Sequence, residues 1–314
     1  MDPLSNVLSL LKPRNYFSAG LDAGGDWSIQ FPDQQEGIKC GAVVSGAGWL
    51  SVEGVAQAVA LKAGDCFLLP SGRPFRLASE MGVKPIDGAK VFSAPCRPGL
   101  STYNGGGDFL LVSCRFSLEG RHASTVLSML PPIVHIRDRA GQATLRWPVE
   151  HMMQELRDPQ PGSLLVVQHL AQLMLVQALR LHLTSGSTGA AGWLSALADK
   201  QMSAALTAMH ADPGHRWSLP ELAKLTGMSR STFAQKFKEV VGVSPMEYLT
   251  QWRMLLAGDR LETSEDPISI IAQTLGYESE TAFSAAFKKV MGAPPRQYSR
   301  GRTRPARGRQ ALPA

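Results

Sequence analysis

Two stretches of this 314-residue sequence set polar side chains at helical spacing beside a pair of phenylalanines. In GMSRSTFAQKFKEVVG (Gly227–Gly242), Phe233 and Phe237 lie four apart and mark a buried helix face. Arg230, Ser231, Gln235 and Lys238 are left facing elsewhere. In GYESETAFSAAFKKVMG (Gly276–Gly292), Phe283 and Phe287 repeat the spacing. The chemistry of guanidinium, hydroxyl, carboxamide and ammonium groups is hydrogen bonding and charge pairing, not bond making. Covalent chemistry has little to work with. The chain has no nucleophile elbow, no P-loop and no dinucleotide fingerprint. Its first 121 residues contain no histidine, so a metal site needing three imidazole or carboxylate ligands is not expected there. Cys40, Cys66, Cys96 and Cys114 have no short CxxC spacing and read as reduced thiols. No catalytic residue, metal or cofactor is expected.

The two stretches belong to a longer duplication. At an offset of 49, Ala223 maps to Ala272 and Gly227 to Gly276. After one inserted residue the offset is 50, and Phe233, Phe237, Lys238, Val240, Gly242, Pro245 and Tyr248 map to Phe283, Phe287, Lys288, Val290, Gly292, Pro295 and Tyr298. Each copy reads as a short helix, a glycine turn and a second helix. Ser218 and Glu221 form a capping-box pair, Ser229 and Ser279 are natural N-caps, and Asp266-Pro267 is expected to open the second copy. Ser244–Leu261 joins the copies as one helix. About sixteen helical residues span about 24 Å, a suitable strut for two helices near one DNA repeat of roughly 34 Å. A helix–turn–helix with a polar, exposed second helix is built to enter a major groove.

These residues, from WSLPELAKLTGMSRSTFAQKFKEVVGVSPMEYL through WRMLLAGDRL to SIIAQTLGYESETAFSAAFKKVMGAPPRQY, resemble the DNA-binding domain of the AraC/XylS transcription regulators over roughly Ala196–Ser299. Carried over by position, the resemblance implies base reading by Arg230, Ser231 and Gln235 in the first head and by Glu280, Thr281 and Ser284 in the second. It places Lys236, Lys238, Lys288 and Lys289 toward phosphates. Ala285 stands where some relatives carry arginine, and Glu278 and Glu280 make the second head acidic. The resemblance also implies double-stranded DNA and a second copy of the chain as partners, RNA polymerase contact and a small-molecule effector of unknown identity, and it leaves the sign of regulation, activator or repressor, open.

The rest of the chain is organised around this region. Segments such as WSIQF, CGAVVSGAGWLSV, CFLLP and FLLVSCRF, between Asp26 and Phe116, read as short strands. GDCFLLPSGRPF (Gly64–Phe75) resembles the second cupin motif, with Phe75 where a metal-ligand histidine usually stands. Trp49, Phe75 and the cysteines read as core, while Arg73 and Arg76 read as exposed rim arginines by default and as partners of an anionic effector in the alternative. From Arg121 the period turns helical. Ser163–Leu183 carries Leu164, Val167, Ala171, Met174, Ala178 and Leu181 as one stripe and Val166, Leu170 and Leu173 as a second; periodicity leaves burial within the chain and contact with a second copy both open, and the resemblance favours the first stripe as a dimerisation face. His169 and Gln172 would set its register. The net charge of +6 is concentrated in a tail containing Arg300, Arg302, Arg304, Arg307 and Arg309. No membrane span or export signal is read, and a cytoplasmic protein is expected.

The expected fold is α+β: a cupin-like β-barrel (residues 1–120), a helical segment (121–183), a linker (184–192), a tandem helix–turn–helix domain (193–299) and a basic tail (300–314). The leading function is a sequence-specific DNA-binding regulator reading two adjacent major grooves. The alternatives are a metal-free cupin enzyme and a protein–protein adaptor.

Overall fold

The computed structural model describes residues 2–33, 37–92, 99–118, 130–137, 139–184 and 193–300. Cys96, most of the expected linker and the arginine tail beyond residue 300 lie outside them. Two compact units result: residues 12–118 with 130–184, and residues 2–11 with 193–300.

The first unit contains β1 (Arg14–Ala23), β2 (Ser28–Phe31), β3 (Ile38–Ser45), β4 (Ala47–Val52), β5 (Val59–Lys62), β6 (Cys66–Leu69), β7 (Phe75–Ala78), β8 (Ile86–Asp87), β9 (Leu100–Tyr103), β10 (Phe109–Ser117) and β11 (Val134–Ile136). They form two sheets, ordered β11-β6-β3-β10-β1-β9 and β5-β4-β7-β2-β8. Among the described residues no ladder joins the sheets, so the expected closed barrel is a pair of packed sheets. Inward residues at every second position, including Leu21, Ile29, Val43, Leu50, Phe67, Phe75 and Leu111, make one core. The strands begin earlier than expected, at Arg14. β11 lies in the stretch read as helical and pairs with β6.

Several expected surface or core roles change. Phe75 is core and stacks on Phe31 at 4.5 Å. Trp49, expected inside, is 39% exposed. Arg76 donates to Ser28 Oγ at 2.6 Å and to the carbonyls of Met81 and Val83, so it ties a loop to β2 rather than waiting for an anion. Lys39 is buried and donates to Ser113 Oγ at 3.0 Å, and burial lowers its pKa to about 8. Cys40, Cys66 and Cys114 are buried, free thiols on adjacent strands. Burial pushes Cys66 up to about 12, and the hydrogen bond to Cys114, with burial, raises Cys40.

Helices α3 (Arg139–Arg157) and α4 (Ser163–Thr184) follow the short α2 (Gly88–Val91) and pack on the six-stranded sheet. By length and hydropathy α4 resembles a membrane span. One face of it is buried against the sheet and α3. Val167, Ala171, Met174 and Ala178 are buried within the unit, so the stripe expected between subunits already has its partner. Leu181 is half-buried and Leu164 is exposed. The outward face carries Leu165, Val166, His169, Gln172 and Leu173.

The second unit is helical: α1 (Pro3–Leu11), α5 (Trp193–Ala198), α6 (Lys200–Ala211), α7 (Leu219–Leu225), α8 (Arg230–Val241), α9 (Pro245–Thr263), α10 (Ile268–Thr274), α11 (Glu280–Met291) and α12 (Pro295–Arg300). The first eleven residues were expected with the strands. Instead α1 buries Leu4, Val7, Leu10 and Leu11, at helical spacing, and packs against α6 and α9.

His210 of α6 is buried between helices. Its ring stacks on Trp252 at 3.8 Å, and Nε2 lies 2.7 Å from the Tyr248 hydroxyl. Burial depresses its pKa from 6.5 to about 3. The fold therefore holds the neutral imidazole, while an unfolded chain takes up a proton below about pH 6.5. The stability from His210 is complete above pH 6.5 and is lost as pH falls toward 3. Urea titrations of the wild type from pH 7.5 to 5 should show this loss, at up to about 1.4 kcal/mol per pH unit. A folded His210→Phe variant should show a shallower slope.

Candidate nucleic-acid interface

Each recognition helix is started by a serine and oriented by aromatic packing. Ser229 Oγ accepts from Thr232 N at 3.2 Å, and Ser279 Oγ accepts from Ala282 N at 3.2 Å. The preceding turns use Gly227 and Gly276 at φ 68° and 79°, a region other residues adopt at a cost. Phe233 and Phe237 are fully buried with centroids 5.6 Å apart, and Tyr248 lies 5.8 Å from Phe237. Phe283, Phe287 and Tyr298 repeat this arrangement at 5.7 and 5.3 Å. The capping pair at Ser218 holds in one direction only. Ser218 Oγ accepts from Glu221 N, while the Glu221 carboxylate turns to His215 Nε2 at 2.8 Å. Asp266 does not cap α10: the N-cap is Pro267, without a side-chain hydrogen bond, and Asp266 accepts from Ser264 Oγ.

With the aromatic faces buried, Arg230, Ser231, Gln235 and Lys238 of α8 are exposed. On α11, Glu280, Thr281, Lys288 and Lys289 are exposed and Ser284 is half-buried. Gln235 Nε2 donates to Glu239 Oε1 at 2.9 Å, which holds the carboxamide along the helix surface. Lys236 is placed differently from its neighbours. Its Nζ lies 2.8 Å from Asp199 Oδ2 and donates to Gln201 Oε1 at 3.1 Å, tying α8 to the start of α6. Burial alone would raise the Asp199 pKa. Hydrogen bonds from Lys236 and the amides of Met202 and Gln201 outweigh it and hold the carboxyl below its usual value. Lys236 is thus a packing cation.

The acidic start of the second head has partners that local sequence did not reveal. Arg216 pairs with Glu278 from 62 residues away, and Arg296 Nη2 lies 3.5 Å from Glu280 Oε1. The two glutamates are therefore partly neutralised. A cleft of about 760 Å³ runs beside them, lined by Arg216, Ser269, Gln273, Tyr277 and Glu280 among others. In the strand-rich unit a groove of about 640 Å³ is lined by Ala42, Val43, Cys66, Leu145, Arg146 and Val149. Among the described residues no cluster of histidine, cysteine or acid side chains could hold a metal ion.

Residues 2–184 match the family model described as Cupin, and residues 222–301 match that described as Helix-turn-helix domain. An AraC-like transcription regulator of Streptomyces lividans is 42% identical over 97% of this chain and 100% of its own length. The HTH-type transcriptional regulator AlkR of Acinetobacter baylyi is 29% identical over 95% of this chain and 99% of its own. Among solved structures, the DNA-binding domain of AdpA in complex with a target DNA is 27% identical. It covers 33% of this chain and 92% of that one, with a TM-score of 0.31.

The two lysines of α8 should separate cleanly on any duplex this interface binds. Lys238→Met should reduce the slope of log affinity against log salt by about 1. Lys236→Met should leave that slope unchanged and lower the thermal midpoint, because it removes the bonds from α8 to Asp199 and Gln201. Equal effects of both on the salt slope would contradict this placement.

Proposed function

The chain belongs to the AraC-like transcription regulators, and from that premise we propose that α8 and α11 occupy adjacent major grooves on one face of double-stranded DNA. The observation that carries this reading is the repeat itself. Two buried Phe–Phe–Tyr sets present two exposed polar helix faces from one unit. In this reading Arg230, Ser231 and Gln235 read base edges in the first groove. Glu280, Thr281 and Ser284 do so in the second, where a glutamate suits the amino group of cytosine. Lys238, Lys288 and Lys289 approach phosphates and set the register.

The relatives are regulators rather than enzymes, which removes the metal-free cupin enzyme from consideration. The strand-rich unit takes the part of sensor and dimerisation unit, with its groove beside α3 as the place for an effector. The outward face of α4 supports pairing with a second copy, since Leu165, Val166 and Leu173 are exposed at 60, 43 and 37%. Contact with RNA polymerase, in the cytoplasm, completes the same reading.

Selection from random duplexes with the full-length protein should enrich two short sequence blocks about one helical turn apart. On the selected site, Arg230→Ala or Gln235→Ala should cost about 1–3 kcal/mol, roughly fivefold to 150-fold, while non-specific binding persists. Unchanged affinity in both variants would contradict base reading by α8. Leu165→Glu combined with Leu173→Glu should shift the protein from dimer to monomer in sedimentation. An unchanged dimer would place the interface elsewhere.

A further inference from the structure

We propose that Arg253 is a positioning residue that clamps the two reading heads together and thereby sets the spacer length between the two DNA blocks. The proposal rests on the two-headed reading above and concerns what holds the heads in register.

Helix α9 is shared by both heads. Tyr248 packs on the first head's Phe237, whereas Met254, Ala257 and Leu261 belong to the core around Phe283 and Phe287. Arg253 stands between these two sets. Its Nε donates to the Pro213 carbonyl at 2.6 Å, and Nη2 donates to the His215 carbonyl at 2.8 Å. The guanidinium lies 5.7 Å from the centre of the Tyr277 ring. Pro213 and His215 belong to the loop that leads into α7, the opening helix of the first head. Tyr277 follows the glycine turn of the second.

The loop and the turn touch directly. A Cβ on Gly276 would sit 2.3 Å from the Gly214 carbonyl oxygen, and one on Gly214 would sit 2.7 Å from the Thr274 carbonyl oxygen. Arg216 then closes the contact on its exposed side by pairing with Glu278. The loop is itself stiff. Asp212 Oδ1 accepts from His215 N at 3.0 Å, Trp217 Nε1 donates to the Asp212 carbonyl at 2.9 Å, and His215 is held by Glu221.

The heads are therefore joined twice, once through the covalent helix and once through this clamp. One helix alone lets the second head twist about the helix axis; a second attachment off the axis removes that freedom. Arginine suits the task because one planar fork serves two carbonyls while its face lies on a ring, which an ammonium does not reproduce. On DNA the consequence is spacer discrimination. One inserted base pair rotates the second block by about 34° and shifts it by about 3.4 Å, which a rigid pair of heads does not follow.

The test titrates the full-length protein on three kinds of duplex. One carries both selected blocks at the preferred spacing, one has a base pair added or removed between them, and one carries the first block alone. The wild type should lose about tenfold or more on changing the spacer. Arg253→Met should lose less than about threefold between spacers, with unchanged affinity for the first block alone, and Arg253→Lys should lie between. Wild-type discrimination in a folded Arg253→Met overturns the clamp, as does an equal loss on the first block alone. Should Arg253→Met not fold, Arg216→Gln and Tyr277→Leu must relax the spacer preference, and retained preference in both overturns the clamp. A wild type that ignores the second block overturns the two-headed reading itself.

Discussion

Each recognition helix is held by the burial of two phenylalanines one turn apart against a tyrosine from the next helix. Phe233 and Phe237 meet Tyr248 in the first head, and Phe283 and Phe287 meet Tyr298 in the second. Each fully buried phenylalanine contributes about 1.5–3 kcal/mol, so the four rings are a large share of what orients these short helices. Orientation is the functional point. A helix of twelve residues pinned along one face has only its opposite face to offer, and that face carries the guanidinium, carboxamide and hydroxyl groups suited to base edges.

Electrostatics then separates cations engaged within the helical unit from those that face outward. Arg253 and Lys236 are spent on carbonyls and on Asp199, and Arg216 pairs with Glu278 at the surface. Lys238, Lys288 and Lys289 remain at the surface. The helical unit without its arginine tail has nearly balanced charge, so its attraction for a polyanion comes from a few placed side chains. A reader built this way depends on geometry, and salt should act on it through few contacts.

The helical unit was far more legible in the sequence than the strand-rich one. Serine caps and glycine turns are local devices, so Ser229, Ser279, Gly227 and Gly276 could be placed from a few neighbouring residues. The duplication made each copy a check on the other. Asp266-Pro267 misled because the local pattern of a cap was present while the aspartate turned to Ser264. Long-range pairs left no signal at all: Arg216 meets Glu278 across 62 residues. Helix α4 is apolar on two faces, and periodicity alone does not say which one meets the sheet. In β1, RNYFSAGLDA buries four consecutive residues, Ser18–Leu21, because a helix covers the face opposite the core, so no alternation marks the strand.

In the proposed mode of binding, one unit places two helices in consecutive grooves on the same side of a duplex. Hydroxyl-radical footprinting of the full-length protein on its selected site tests it most directly. Two protected tracts are expected on each strand, separated by about 10–10.5 base pairs and lying on one face. A single protected tract, or two tracts on opposite faces, would contradict it.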